Sequence, residues 1–146
     1  MRHLINRQIL ALGIVLGAAA CGGSSSGPAP GAAVGSYTAT SFTTTGASGQ
    51  RNELVAGSTL LINLAADGTT TGHLHVAGTG GGAAIDADMA GTWTQNGSVV
   101  RFTQSADTFV RSMDFTWGPN ANGVASLTGD NIFSGSRVQI IMTRAP

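Results

Sequence analysis

Residues 91–102 carry the pattern that most constrains the fold, because they predict a β-hairpin whose two faces can be assigned. The Asn-Gly dipeptide at 96–97 favours a two-residue type I′ turn, which needs a positive φ at both central positions. With that turn, Trp93 lies opposite Val100, and directly opposed residues share one face of the ribbon. Trp93, Val100 and Phe102 form an apolar face, and Thr and Arg side chains form the other. This division is typical of an antiparallel pair with one buried face.

The composition favours strands and turns along the rest of the chain. Among 146 residues there are 22 Gly and no Lys, and charged residues make up 10%. No segment has the long Ala, Leu, Glu and Lys periodicity of a helix. The length suits one domain. Because the formal net charge is zero and no basic cluster occurs, we expect no nucleic-acid partner.

Residues 1–20 predict a cleaved signal peptide. Arg2 and Arg7 precede an apolar run over 9–20, and twelve residues make only about 18 Å of helix, too short to span a bilayer. The small residues that end this run at Cys21 resemble the lipobox of bacterial lipoproteins. The resemblance implies that Cys21 is acylated and becomes the first mature residue. The alternative is an ordinary secretory signal followed by an incidental cysteine.

Residues 21–34 predict a flexible tether, because the Gly, Ser, Pro and Ala residues there show neither hydrophobic periodicity nor charge. A chain of this composition and length has a mean reach of about 20 Å. The lipid, and not the folded domain, would provide membrane attachment. Gly22 follows the cysteine where Asp would signal inner-membrane retention in enteric-type bacteria. We therefore expect a monomeric outer-membrane lipoprotein that faces the periplasm or the cell surface.

Residues 58–76 predict a second hairpin with two possible registers. A two-residue turn at 67–68 would place His73 and His75 on the apolar face. A three-residue loop at 66–68, closed by a left-handed glycine, keeps the apolar residues together and sends both imidazoles to the polar face. We favour the second register, because imidazoles without partners are costly to bury.

Eight alternating segments predict an all-β domain over residues 35–146. They are 35–45, the two arms of each hairpin, 109–117, 124–133 and 137–144, and 46–57 is interpreted as the longest connection. Short turns between successive strands favour an antiparallel up-and-down barrel, which removes exposed edges. A two-sheet β-sandwich satisfies most of the same pattern. An eight-stranded barrel is either filled by its own side chains or holds one small ligand.

Short motifs at the strand starts and ends extend this interpretation. They are Gly35-Ser36-Tyr37, residues 60–69, Gly91-Thr92-Trp93 and Thr143-Arg144. In these motifs the chain resembles the lipocalin-like members of the calycin superfamily, specifically short bacterial lipoproteins with such a domain. In calycins a Gly-x-Trp on the first strand packs under an Arg from the last and closes the barrel base. The resemblance implies this closing role for Tyr37, which stands where Trp is expected, and for Arg144.

Aromatic residues and one arginine on the predicted apolar faces are the candidate ligand-binding residues. They are Trp93, Phe102, Arg111, Phe115 and Trp117. Arg111 interrupts the apolar face of strand 109–117, and a charge inside a small barrel needs a partner. Three placements stay open. Arg111 could anchor a carboxylate ligand, as Arg does in lipid-binding relatives of the fold. It could instead pair with Asp114 or reach solvent at a rim.

No motif predicts catalysis or a cofactor. His73 and His75 have a spacing that can ligate a transition metal if Asp86 or Asp88 supplies a third donor, but imidazoles on a solvated strand face are the simpler interpretation. Asp86-x-Asp88 lacks the further ligands of a calcium loop. No Gly-x-Ser-x-Gly, P-loop or paired-Cys motif occurs. We therefore expect a non-enzymatic protein without metal or cofactor.

The sequence thus predicts a lipid-anchored cell-envelope barrel that binds a small apolar or amphipathic molecule. The alternative is a filled barrel without a small ligand, which acts as a structural, interaction or inhibitor module.

The lipidation hypothesis is tested by Cys21→Ser. Because the thioether-linked lipid would provide the membrane affinity, the variant should leave the membrane fraction and lose acyl labelling. Fractionation and labelling of wild type and variant measure this. Unchanged membrane association of the variant would contradict the hypothesis.

Overall fold

The computed structural model describes residues 31–78 and 83–146, so the signal peptide, Cys21 and most of the tether lie outside the described residues. The described part consists of strands, turns and loops. The strands are β1 (Gly35–Gly46), β2 (Gly49–Asn52), β3 (Thr59–Leu64), β4 (Thr69–Val76), β5 (Ile85–Asn96), β6 (Val99–Gln104), β7 (Phe115–Pro119), β8 (Ala125–Phe133) and β9 (Ser136–Arg144). Within 31–78 and 83–146, no helix is long and apolar enough to cross a membrane.

The strands close into an eight-stranded antiparallel barrel. From β3 to β9 each strand pairs with its neighbour in the chain, and β1 pairs with β3 on one side and β9 on the other. β2 is an extra short strand, which pairs only with the second half of β1. The structure therefore confirms the predicted up-and-down barrel over the alternative sandwich.

The β1–β9 seam contains a β-bulge that keeps the interior filled. Ala39 pairs with Met142 and Ser41 with Ile141, so Thr40 is an extra residue in β1. An extra residue exchanges the two faces of a strand. Tyr37 and Phe42 consequently both point into the barrel and are almost completely buried, although five residues separate them.

The β3–β4 hairpin has the predicted register. Leu64 pairs with Thr70 and Leu60 with Leu74, and Gly68 at the end of the three-residue loop has a φ of 83°. His73 consequently points outward, as predicted.

The register predicted for the β5–β6 hairpin was wrong by two residues, although its faces were right. Trp93 pairs with Phe102, and Asn96 pairs with Val99, which leaves Gly97 and Ser98 as the turn. Gly97 has a φ of 58° and Ser98 keeps a negative φ, the pattern of a type II′ turn with Gly at its first central position. A slip of two residues preserves both faces.

Residues 105–114 form a cap over one end of the barrel, although a strand had been predicted to start at Phe109. Successive turns run through this segment, with Arg111 N donating to Thr108 O at 3.2 Å. Phe109 is buried, and its ring centroid lies 5.5 Å from that of Phe42 and 6.1 Å from that of Phe133. Strand β7 consequently begins only at Phe115.

The opposite end, called the closed end here, is sealed by the chain that enters β1. Ala33 is fully buried, and its N–H donates to Gln95 Oε1 at 3.1 Å. The Tyr37 hydroxyl donates to the Ala33 carbonyl at 2.8 Å and accepts from Trp117 Nε1 at 3.0 Å. These bonds fix the last residues of the predicted tether under the barrel base.

Apolar side chains fill the space between the two ends. The largest fully buried ones are Tyr37, Phe42, Phe115, Leu60, Ile62, Leu64, Leu74, Met89, Met113, Leu127, Ile140 and Met142. The inward faces of all eight barrel strands thus pack against each other in one core, which matches the filled type of eight-stranded barrel.

Gly91→Ala is expected to destabilise the barrel by about 1–3 kcal/mol, because a Cβ there would overlap the backbone of β6 at Thr103 and Gln104. Gly118→Ala is the matched control in a strand, since a Cβ at Gly118 meets no atom within 4 Å. Urea denaturation of both variants measures the difference. Equal stability of the two variants would contradict this account of β5–β6 packing.

Candidate functional site

The barrel opens on a pocket at the end opposite the closed end, which we call the mouth pocket. Its volume is about 330 Å³. It is lined by the inward-facing ends of several strands and by the turn after β2. The residues that line it include Thr44, Arg51, Glu53, Val76, Ile85 and Ser136.

A buried carboxylate lies in the wall of the mouth pocket. Glu53 is 2% exposed. Its Oε1 accepts from Thr44 Oγ1 at 2.5 Å and its Oε2 accepts from Ser58 Oγ at 3.0 Å. Arg51 Nη1 lies 3.4 Å from the same Oε2. The carboxylate is therefore satisfied by two hydroxyls and a guanidinium, as a buried charge must be.

Arg51 connects this carboxylate to the far side of the pocket. Because Arg51 pairs with Thr44 in the β1–β2 ladder, its side chain lies on the inward face. Both of its terminal nitrogens donate to the Ala77 carbonyl at 3.3 Å, and the Ala77 N–H donates to Ser58 Oγ at 2.9 Å. The network thereby ties β2 to the chain that enters β3 and leaves β4.

This network was not predicted from the sequence, because 46–57 was interpreted as the longest connection. β2 and the turn after it fold back so that Glu53 N donates to the Phe42 carbonyl at 2.8 Å. One local signal was available: Arg51 and Glu53 are two residues apart, a spacing that places both on one face of a strand. Ser58 and Ala77 are brought to them only by barrel closure.

The four predicted aromatic residues lie in the core or at the closed end, and none lines the mouth pocket. Phe102 and Phe115 pack edge to face with ring centroids 5.5 Å apart. Trp93 donates from Nε1 to the Ala65 carbonyl at 2.9 Å, and Trp117 donates to Tyr37. Their indole N–H groups are thus already used inside the protein.

Arg111 lies on the outer surface of the cap, the third of the placements considered from the sequence. It forms an ion pair with Asp107 four residues earlier. Asp114 is instead held by Arg101, with bonds of 2.8 and 2.6 Å to its two carboxylate oxygens. This hydrogen-bonded guanidinium keeps the pKa of the Asp114 carboxyl below its usual value.

Tyr37 and Arg144 are brought together at the barrel base, where the resemblance had placed them. They are directly paired across the β1–β9 seam, and the guanidinium lies against Gly35 so closely that a Cβ there would collide with it. Burial raises the pKa of the Tyr37 phenol, while the hydrogen bond from Trp117 and the charge of Arg144 act in the opposite direction.

The two histidines and two aspartates of the possible metal motif lie side by side on the outer face of β4 and β5. His73 Nδ1 lies 2.8 Å from Asp88 Oδ1, and His75 Nδ1 lies 2.7 Å from Asp86 Oδ1. The side chains thus pair with each other. Across residues 31–78 and 83–146, no group of three or more His, Cys, Asp or Glu side chains has an arrangement that could hold a metal ion.

A second depression, of about 340 Å³, crosses the outside of β1, β8 and β9. Its one charged group, Asp130, already pairs with Arg137 and accepts from Gln139 at 3.1 Å. The mouth pocket is the better candidate because inward-facing apolar and polar groups meet there.

No family model, no curated protein and no solved structure matches this chain. The chain's own residues therefore have to indicate its function.

Glu53→Gln is expected to destabilise the fold by about 1–3 kcal/mol, because it leaves Arg51 without a counter-charge and disturbs two hydroxyl bonds in a buried network. Asp107→Asn, which removes the acid of the exposed Arg111 ion pair, should change stability by less than about 0.5 kcal/mol. Thermal denaturation of both variants at neutral pH is the measurement. A Glu53→Gln protein as stable as the Asp107→Asn control would contradict the structural role of the network.

Proposed function

We propose that this protein is a lipid-anchored cell-envelope barrel that binds one small amphipathic molecule in its mouth pocket, without catalysing a reaction. The observation that carries the proposal is the pocket itself, about 330 Å³ of space over a filled core. That volume lies at the lower end of the range for small-molecule sites, about 300–1,000 Å³.

The chemistry of the walls indicates the class of ligand. Val76 and Ile85 form an apolar wall, and Ile85 is 53% exposed, so a ligand that covers it gains hydrophobic stabilisation. Thr44 and Ser136 place hydroxyls across the pocket from this wall. An amphipathic molecule matches both sides, because its apolar part can cover Val76 and Ile85 while its polar part faces the hydroxyls.

The guanidinium of Arg51 does not give the pocket an excess positive charge. It lies 3.4 Å from the Glu53 carboxylate, which compensates it within the wall. The proposed ligand is therefore recognised by shape and hydrogen bonding more than by net charge.

The direction of the chain supports an anchored arrangement. The described chain begins at Gly31 under the closed end, whereas the mouth pocket lies at the opposite end. If Cys21 carries lipid, the anchor precedes the chain that enters the closed end, and the predicted flexible tether leaves the mouth pocket accessible to solutes. The closed antiparallel barrel and the Tyr37–Arg144 pair at its base support membership of the lipocalin-like group of the calycins.

The alternative function is a structural, interaction or inhibitor module without a small ligand. The observation that favours it is the buried apolar core, in which all four candidate aromatic residues are engaged with other parts of the protein. Native mass spectrometry of the protein purified from its own envelope separates the two functions. A co-purifying small molecule supports the binding protein, and a single apoprotein mass supports the module.

Ser136→Phe tests where binding occurs, because the new ring would occupy the mouth pocket from β9. Thr94→Phe is the matched control, since Thr94 lies exposed on the outer face of β5. With 1-anilinonaphthalene-8-sulfonate as an amphipathic probe, we expect saturable binding to wild type and control. Binding to Ser136→Phe should be at least about tenfold weaker, a loss of about 1.4 kcal/mol. Equal affinity of all three proteins would exclude the mouth pocket as the probe site.

A further inference from the structure

Four titratable side chains form a continuous row on the outer face of β4 and β5. Asp88 Oδ1 lies 2.8 Å from His73 Nδ1, His73 Nε2 lies 3.6 Å from Asp86 Oδ1, and the same Asp86 oxygen lies 2.7 Å from His75 Nδ1. Acid and imidazole therefore alternate along the row. His73 is the inner imidazole and has a carboxylate oxygen near each of its ring nitrogens.

This arrangement distinguishes the protonation states of His73. A neutral imidazole carries one N–H and can donate to only one of the two carboxylates. The imidazolium carries an N–H on both nitrogens and attracts both acids. Protonation of His73 thus adds a second attraction between β4 and β5.

The charged groups around His73 are the two aspartates of the row, and, among the described residues, no cation apart from an imidazolium faces it. On β5 the facing residues are Asp86 and Asp88, and on β3 they are Thr59 and Leu61, which do not titrate in this range. Two carboxylates surround His73, and the one further titratable group is His75. Both imidazoles are partly exposed, at 48% and 33% of their side-chain area, so protons reach them freely.

The row lies directly beside the mouth pocket. His75 pairs with Asp86, and the next pair along the ladder is Val76 with Ile85, the apolar wall of the pocket. Ala77 follows immediately and accepts the bonds from Arg51. Any loosening of β4 from β5 at the row would therefore be transmitted to that wall within one or two residues.

We propose that His73 is a protonation switch, which ties β4 to β5 when charged and so makes the mouth pocket retain its ligand better in mildly acidic than in alkaline medium. The tie itself is a property of the fold, and its effect on a ligand rests on the proposed function.

The direction of the pH effect agrees with this geometry. The hydrogen bond to Asp88, with the charges of Asp88 and Asp86, raises the pKa of His73 above 6.5. The hydrogen bond from His75 lowers the pKa of Asp86 below 3.8. Protonated His73 stabilises the folded state, because its pKa is higher there than in the unfolded chain. This stabilisation is complete below pH 6.5 and is lost as the pH rises through the pKa of the folded state. The stabilisation by the Asp86 carboxylate is lost only as the pH falls below 3.8. The attachment of β4 to β5 therefore holds from pH 3.8 up to the pKa of His73 in the folded state.

Hydrogen exchange of the full-length protein at pH 5.5 and pH 8.0, corrected for intrinsic exchange rates, tests the tie without any ligand. Amides of residues 72–76 and 85–89 should be at least about threefold better protected at pH 5.5. EDTA in every sample prevents metal binding from producing the same difference. His73→Gln should abolish the difference, and Asp130→Asn, which removes an exposed acid from the β8–β9 pair, should preserve it.

A pH difference that persists in His73→Gln, or that is missing in wild type, overturns the proposal. Asp86→Asn combined with Asp88→Asn provides a second check, because His73 remains while both carboxylate charges are lost. The pH at which the protection of residues 72–76 and 85–89 is lost should be lower in this variant than in wild type. An unchanged pH of this loss also overturns the role of the row.

Binding of 1-anilinonaphthalene-8-sulfonate at the same two pH values tests the link to the mouth. The sulfonate keeps its charge throughout, and we expect severalfold tighter binding at pH 5.5 in wild type and equal binding at both pH values in His73→Gln. If wild type binds the probe equally at both pH values but its amide protection still depends on pH, the link between His73 and the mouth pocket is overturned. The attachment of β4 to β5 by His73 then still stands. If the probe does not bind at either pH, the proposed function fails and the exchange data alone decide the tie.

Discussion

Closure of β1 against β9 is the constraint on which the rest of the structure depends. A chain with 10% charged residues has few charges with which to protect open strand edges, and closure removes the two long edges that a meander would leave. The bulge at Thr40 makes closure compatible with a filled interior, because it turns both Tyr37 and Phe42 inward. Without that extra residue, one of these two large side chains would point outward.

Closure also makes the two ends of the barrel chemically different. The entering chain seals one end through Ala33, Tyr37 and Trp117, whose polar groups bond to each other and to Gln95. At the other end the 105–114 cap covers only part of the opening, and the Arg51–Glu53 network borders the space that remains. The mouth pocket, which we propose as the ligand site, therefore lies at this end.

The sequence located the core more readily than the site. Alternating apolar residues identify whatever points inward, and in a small barrel these side chains pack against one another, as Trp93, Phe102 and Phe115 do. The residues of the mouth pocket come from strand ends and the turn after β2, where no periodicity exists. Residues 109–114 were predicted as part of a strand for a related reason, since their apolar side chains fill a cap and not a strand.

The sequence by itself determined the all-β class, the buried face of each hairpin and the β3–β4 register, because a slip there would have buried two imidazoles. It could not distinguish registers two residues apart, since both leave the same faces buried, and the β5–β6 hairpin adopts the other one. Tertiary structure alone decided the bulge, the Glu53 network and the meeting of His73 with both aspartates. Each of these depends on which strands become neighbours and at what register, whereas local alternation specifies only which side of a strand is buried.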